Sequence, residues 1–161
     1  MRMDYYNWKV INKKHNWMNT IKNLILVVFL FGLTSVYAQS VIGKWTTIDD
    51  DTGKEKSVVE IYQYKDKVYG KVIQILDKAE QNKLCDMCTG VNKNQPIKGI
   101  VIIQDLKKDD DTWEGGTILD PETGKVYKCY ISLDGENRLK VRGYIGFSLL
   151  GRTQYWNRII N

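Results

Sequence analysis

Short runs of β-branched, aromatic and aliphatic residues alternate with clusters of turn-forming residues along most of the chain. This close alternation of apolar runs and turns is typical of an all-β sandwich or barrel. Between residues 39 and 161 the pattern predicts eight strands. Their bounds are Ile42–Ile48, Ser57–Tyr64, Val68–Leu76, Gly99–Leu106, Thr112–Ile118, Lys125–Leu133, Arg138–Tyr144 and Arg152–Ile160.

The segments between these strands favour antiparallel hairpins. Asp49–Lys54 and Asp120–Lys125 both end in Thr-Gly-Lys, and glycine can supply the positive φ that a bulged hairpin needs. Eight consecutive antiparallel strands that close into a barrel leave no exposed edge and can enclose a small ligand. We therefore predict an all-β, eight-stranded antiparallel up-and-down barrel. A two-sheet sandwich is the alternative.

An apolar run of a different kind precedes the strands. Leu24–Leu33 follows the lysine-bearing start Met18–Asn23 and leads to the compact or small residues Val36 and Ala38. A charged start, a short apolar core and a small-residue exit are the marks of a secretory signal peptide. The run is shorter than the roughly 20 apolar residues of a membrane-spanning helix, so an uncleaved anchor is the less favoured interpretation.

The expected organisation has three parts. Residues 1–17 are an upstream extension from a mis-called start codon, because Met18 alone begins a complete leader. Residues 18–38 are the signal peptide, and residues 39–161 form a single domain that is periplasmic or secreted. Cleavage after Ala38 would leave no stable membrane anchor on this domain.

Removal of the leader changes the charge balance. The full chain has 24 basic and 19 acidic residues, but five basic and one acidic residue precede residue 39, which leaves 19 and 18. A nearly neutral domain has no electrostatic footprint for nucleic acid. The single histidine, His15, also lies upstream, which excludes histidine-based catalysis in the domain and removes the commonest metal ligand. We predict no catalytic residues, metal or cofactor, although the sequence leaves open an acid–base role for Glu60.

Two tryptophans lie on the strands that must meet if the barrel closes. Gly43 and Trp45 open the first strand, and Trp156 and Arg158 lie on the last. The first and last strands of a closed barrel are paired, so Arg158 can stack on Trp45, a contact worth roughly 0.5–2 kcal/mol. We expect these four residues to close the barrel in a structural role.

The Gly-x-Trp start and the arginine near the end of the last strand resemble those of the lipocalin and calycin barrels. More specifically, the chain resembles the DUF2147 family of uncharacterised exported bacterial proteins, described as having a lipocalin-like barrel. Matching segments extend from Gly43–Trp45 through Cys85–Cys88 and Leu139–Gly146 to Ser148–Arg158, which together span nearly the whole domain. The resemblance implies the fold. It implies no activity, because the family carries none.

The Cys-Asp-Met-Cys segment allows three interpretations. In an oxidising compartment, a Cys85–Cys88 disulfide that staples the long loop Asp77–Pro96 is the simplest. A redox site would need the first cysteine at a helix N-terminus, and the residues that follow predict a loop. Zinc would need about four ligands. The third cysteine, Cys129, lies on an apolar strand face and is predicted to be buried.

Polar and aromatic strand residues are the candidates for a ligand site inside the barrel. They are Trp45, Glu60, Tyr62, Tyr69, Arg142 and Tyr144. The first functional hypothesis is therefore an exported barrel that binds a small, partly apolar molecule in a cavity of at least about 300 Å³. The alternative is a structural or protein-interaction component of the cell envelope, with contacts through Asp77–Lys98 and Ile145–Gly151. The apolar residues of the second loop could instead plug the barrel or gate ligand access.

Overall fold

A computed structural model describes residues 40–160 and shows one closed sheet of eight strands. Each strand pairs antiparallel with its neighbour in sequence, and the last strand pairs with the first. The strands are β1 (Gly43–Ile48), β2 (Glu55–Tyr64), β3 (Lys67–Ile75), β4 (Val101–Asp109), β5 (Thr112–Leu119), β6 (Val126–Leu133), β7 (Arg138–Tyr144) and β8 (Gly151–Arg158). The predicted up-and-down barrel is confirmed. The sandwich alternative is wrong, because the sheet is continuous and closed.

The strand bounds differ most from the predicted ones in β4. This strand begins at Val101 because Gly99 has a φ of 109° and ends the preceding loop. It continues to Asp109 because the outward side chains of an antiparallel hairpin can be polar. Gly90–Asn92 forms a short 3₁₀ helix, and within the described chain no helix has the length and hydrophobicity needed to cross a bilayer. The predicted upstream extension and signal peptide lie outside the described residues.

Strands β4 and β5 are irregular at the same level. Asp105 has a φ of 62° and Gly115 a φ of 79°, and the pairings of β3 with β4 and of β5 with β6 shift register nearby. As a result Ile103 and Leu106, three residues apart, are both fully buried. A Cβ added to Gly116 would overlap the main-chain atoms of β4, so glycine lets the two strands approach at this level.

Large inward-facing side chains fill the barrel toward one end. Those that are fully buried include Trp45, Ile61, Ile103, Leu106, Ile131, Leu139 and Trp156, and burial of each stabilises the fold by roughly 1.5–3 kcal/mol. We call the end that holds the β2–β3, β4–β5 and β6–β7 turns the closed end. The β1–β2, β3–β4, β5–β6 and β7–β8 connections lie at the opposite end, which we call the loop end.

The hydrophobic core is supplied by a continuous part of the chain. Its members lie between Val41 and Trp156, and all strand partners lie between Gly43 and Arg158. A closed barrel with its own core has the properties of an independent folding unit. We therefore expect the chain from Gln39 to Asn161 to fold without the residues before it.

Candidate functional site

Trp45 and Arg158 meet at the closed end. They are cross-strand partners in the β1–β8 pairing, and the Arg158 guanidinium carbon lies 4.1 Å from the Trp45 ring centroid. The guanidinium also donates hydrogen bonds to the carbonyl oxygens of Ser40 at 2.6 Å, Ile42 at 3.3 Å and Glu136 at 2.9 Å. The structure thus brings these two predicted closure residues together and ties them to the β6–β7 turn.

Gly43 and Trp156 contribute to the same closure. A Cβ at Gly43 would lie 3.0 Å from Nη1 of Arg158, so the missing side chain leaves room for the guanidinium. Trp156 is buried opposite Leu139, and its Nε1 donates to Oε1 of Gln154 at 3.1 Å. Side chains therefore block the closed end, and a ligand could not pass there without displacing them.

The five remaining candidate ligand residues lie on the outer face of the barrel. They are Glu60, Tyr62, Tyr69, Arg142 and Tyr144. Their sequence neighbours Ile61, Gly70 and Val141 are buried, and adjacent residues in a strand point to opposite faces. The expectation that these five side chains reach the interior is therefore corrected: they point outward. That these residues bind a ligand stays a prediction.

The outward tyrosines form contacts of their own. Tyr62 stacks on Tyr69 with the ring centroids 5.8 Å apart, and the Tyr69 hydroxyl donates to the Asp105 carboxylate at 2.9 Å. Lys67 Nζ donates to the same carboxylate at 2.8 Å. The hydrogen bonds from Lys67 and Tyr69 hold the pKa of Asp105 below its ordinary value. These outer-face contacts join β3 to the irregular segment of β4.

Arg142 fastens the connection between β7 and β8. Its Nε donates to the carbonyl oxygen of Ser148 at 2.8 Å, and its Nη2 donates to that of Leu149 at 3.2 Å. Its Nη1 donates to Oγ1 of Thr153 at 2.7 Å. Two donors of the guanidinium therefore fasten this loop, and the third anchors the guanidinium to β8. Sequence reasoning placed Arg142 in a ligand site and missed this role, which depends on contacts made after the chain turns.

The long connection between β3 and β4 folds against the outside of the barrel. Cys85 and Cys88 form a disulfide within it, and both are buried, which confirms the predicted staple. The Cys85 amide donates to the carbonyl oxygen of Gln95 at 2.8 Å. Ile102 and Leu119 adjoin inward-facing residues and so face outward, yet both are buried. This part of the outer face is therefore covered by the β3–β4 connection, residues 76–100, which we call the stapled loop.

Two cavities lie between the stapled loop and the outer face of the barrel. The larger has a volume of about 470 Å³, and we call it the loop groove. Residues that line the groove include Val91, Pro96 and Ile100, with the side-chain amides of Asn92, Gln95 and Gln104. The smaller cavity, of about 120 Å³, shares Asn92 and Gln104 with it. Sequence reasoning sought a cavity inside the barrel and missed the groove, because loop residues carry no periodic signal.

A known protein family matches the part of the chain that forms the barrel. The sequence model of DUF2147, described as an uncharacterised protein conserved in bacteria, matches residues 43–158. The chain belongs to the DUF2147 family. The matched range begins at the first residue of β1 and ends at the last residue of β8, so the match spans all eight strands of this chain and the stapled loop.

A solved structure resembles this DUF2147 barrel. It is protein HP1028 from the human pathogen Helicobacter pylori, a member of the lipocalin family. The TM-score is 0.69 at 22% sequence identity, over 77% of this chain and 86% of that chain. At this level of identity the likeness concerns the fold alone. A search of curated proteins finds no match.

Cys129 of the DUF2147 barrel is buried on the inner face, as predicted. Burial raises the pKa of its thiol to about 12, because a thiolate loses its hydration in an apolar interior. The thiol is therefore protonated at neutral pH and is a poor nucleophile. Within residues 40–160, no group of three or more His, Cys, Asp or Glu side chains is placed to hold a metal ion.

Carboxylates organise the turns at the loop end. The Asp49 carboxylate accepts hydrogen bonds from Oγ1 of Thr52 at 2.8 Å, from the Thr52 amide at 2.9 Å and from Lys56 Nζ at 3.1 Å. These hydrogen bonds hold the pKa of Asp49 well below its ordinary value. Lys56 Nζ also pairs with Glu122 at 2.7 Å. One lysine thereby links the β1–β2 and β5–β6 turns.

The Asp49→Asn variant is expected to lose stability at about pH 7 and to differ less from the wild type at about pH 3. A depressed folded-state pKa stabilises the fold above the unfolded-state pKa, and that contribution is lost as the pH falls toward the folded-state value. Thermal unfolding of both proteins at the two pH values measures the change, with Asp51→Asn in the same turn as the control. An equal difference in melting temperature at both pH values would contradict the assignment.

Proposed function

We propose that this DUF2147 protein binds a small, partly apolar molecule in the loop groove. The observation that carries the proposal is the volume of about 470 Å³, which falls within the roughly 300–1,000 Å³ of small-molecule sites. The closed end of the barrel is blocked by Trp45 and Arg158, and large side chains fill the adjoining interior. The groove therefore offers room that this part of the interior lacks.

The chemistry of the groove supports a ligand with an apolar body and a polar group. Val91, Pro96 and Ile100 supply apolar surface, whereas the amides of Gln95 and Gln104 can both donate and accept hydrogen bonds. Lys98 is the charged residue of the lining, which contains no carboxylate. The lining therefore favours a neutral or negatively charged polar group over a cation.

The loop that forms the groove is held by internal hydrogen bonds and the disulfide. The Asn94 amide donates to the carbonyl oxygen of Cys85 at 3.1 Å, and the Gln95 amide donates to that of Asn92 at 3.2 Å. At the far end of the loop, the Gly99 amide donates to the carbonyl oxygen of Val72 at 2.8 Å. A wall that is ordered before binding loses less conformational entropy when a ligand arrives.

We further propose that the protein acts in the periplasm or outside the cell. Residues 18–38 carry the three marks of a secretory leader, and a structural disulfide such as Cys85–Cys88 persists in oxidising compartments. An interaction role at the cell envelope is favoured by a separate observation, the exposed apolar side chains between β7 and β8.

Filling the groove is expected to abolish ligand binding. Gln104 lines both cavities, so Gln104→Trp would occupy the space, whereas Gln74→Trp places the same side chain at an exposed position of β3. We expect the wild-type chain from Gln39 to Asn161 to enhance the fluorescence of N-phenyl-1-naphthylamine, a small apolar amine. Gln104→Trp should weaken binding at least about tenfold, or by about 1.4 kcal/mol.

Gln74→Trp should bind the probe as the wild type does, and circular dichroism should show that both variants are folded. Native mass spectrometry of protein purified from the producing bacterium provides a second measurement, since a retained molecule should be absent from Gln104→Trp. Undiminished probe binding by the Gln104→Trp variant, or no binding by the wild type, would overturn the proposal.

A further inference from the structure

We infer that the connection between β7 and β8 docks the protein on an anionic phospholipid bilayer. Its side chains Ile145, Phe147, Leu149 and Leu150 are 66%, 81%, 88% and 73% exposed. Single exposed apolar residues are common on proteins, whereas a contiguous patch marks an interaction site. Four such side chains lie here within six residues, and we call Ile145–Leu150 the apolar loop.

Four of the six backbone carbonyls of the apolar loop are hydrogen-bonded within the protein. The Leu150 amide donates to the carbonyl oxygen of Phe147 at 3.0 Å, and the Ile145 amide donates to that of Leu150 at 3.1 Å. Arg142 donates to the carbonyl oxygens of Ser148 and Leu149 between them. Four successive carbonyls therefore have partners.

This pairing favours a lipid over a protein as the occupant. An unpaired carbonyl is costly in hydrocarbon, where no donor is available. A protein partner could supply donors of its own, so a surface that binds protein does not require this internal pairing. From Phe147 to Leu150 the loop thus presents apolar side chains while its carbonyls are paired, as insertion among acyl chains requires of backbone acceptors.

The charge of the surrounding hairpin complements an anionic surface. The β7–β8 hairpin, Arg138–Arg158, contains five basic residues and no aspartate or glutamate, although Arg138 and Arg158 lie at the closed end, away from the apolar loop. Arg138 and Arg152 form ion pairs with Asp134 and Asp50 from other segments. Among the described residues, no carboxylate forms an ion pair with the two remaining cations of β7, Lys140 and Arg142. Basic side chains beside an inserted apolar segment are attracted to anionic headgroups.

Two tyrosines lie between the apolar loop and Lys140 on the outer face of the barrel. Tyr144 directly precedes the loop, and its ring centroid lies 6.4 Å from that of Tyr130. Lys140 Nζ lies 5.8 Å from the centroid of the Tyr130 ring. Tyrosine is favoured at the boundary between hydrocarbon and headgroups because one end of the side chain is apolar and the other polar. An apolar tip, tyrosines and lysine therefore follow one another as the layers of a membrane surface do.

Vesicle flotation tests the inference with a matched control at the other end of the barrel. The loop variant is Phe147→Ser with Leu149→Ser. The control is Tyr64→Ser with Ile160→Ser, which removes two apolar side chains that are 60% and 75% exposed. We expect the wild-type chain from Gln39 to Asn161 to float with vesicles of phosphatidylcholine and phosphatidylglycerol. The loop variant should partition at least about tenfold less, and the control should partition as the wild type.

A second variant reports insertion without removing the apolar surface. Phe147→Trp places a fluorophore at the loop tip, and brominated lipids are expected to quench it more than the tryptophans of the wild type.

No flotation of the wild type with the mixed vesicles, equal loss of flotation in the loop variant and the control, or no added quenching would overturn the inference. A loop variant that loses self-association or capture of a protein, while the wild type ignores vesicles, would assign the loop to a protein partner. The Gln104→Trp variant should float with the vesicles as the wild type does. The proposal for the loop groove and the inference for the apolar loop are therefore tested separately.

Discussion

Replacing Trp45 with alanine is expected to lower the free energy of unfolding by about 3–5 kcal/mol. The side chain projects from the first strand and is fully buried near the closed end, and the Arg158 guanidinium stacks on its ring. The substitution would leave a cavity and expose one face of that guanidinium. Because domains of this size are stable by about 5–15 kcal/mol, a large part of the total would be lost.

Urea unfolding measures this loss, and two further variants separate its causes. Trp45→Phe keeps an aromatic ring in place and should cost less, whereas Arg158→Gln removes the cation and leaves the tryptophan. A Trp45→Ala loss below about 1 kcal/mol would mean that the site collapses without a cavity. It would contradict a central role for the stacked pair in closing the barrel.

Gly124→Ala is expected to destabilise the protein by about 3 kcal/mol, and Gly53→Ala by only about 1 kcal/mol. Both glycines have a φ of 69°. Both also occupy the same place in a turn, since the amides of Gly53 and Gly124 each donate to an aspartate carbonyl oxygen four residues earlier at 2.8 Å. A Cβ at Gly53 meets nothing, whereas one at Gly124 would overlap the Met87 carbonyl of the stapled loop.

The difference between these two variants isolates the packing of the stapled loop against the β5–β6 turn. The strain of a left-handed alanine is common to both and cancels, so the excess at Gly124 measures the displaced loop. Urea unfolding gives both free energies. Equal losses would indicate that the loop moves aside freely, and the groove would then have a mobile wall.

The sequence predicted the strands well wherever residue type and turn chemistry agree. The interval Arg138–Tyr144 was predicted with its bounds, because charged and apolar positions alternate strictly through it. The paired Asp49–Lys54 and Asp120–Lys125 turns also followed from local chemistry. Such features depend on neighbours in sequence, which a single chain displays directly.

Alternation along a strand did not predict which residues face inward where a second layer of structure covers the sheet. Ile102 and Ile103 are consecutive and both buried, because the barrel interior takes one and the stapled loop covers the other. A tyrosine such as Tyr62 suits either face, so its outward direction could not be read from its type. Alternation identifies an inward face only when the other face meets water.

The candidate sites divide in the same way. The sequence identified Cys85 and Cys88 as a staple and the segment near Phe147 as an unusual apolar loop. It could not reveal the loop groove or the fastening of the apolar loop by Arg142, since both arise from residues that meet only after the chain has folded. Long-range contacts of this kind are absent from any local pattern.

The pairing of β1 with β8 determines where the barrel opens most easily when it begins to unfold. Two residue pairs, Trp45 with Arg158 and Thr46 with Asn157, align along this seam, whereas β2 and β3 share eight such pairs. The seam is therefore the place with the fewest ladder contacts to break when the molecule loosens. Arg158 lies on this seam and covers the Trp45 ring, so separation of β1 from β8 would also remove the guanidinium from that ring.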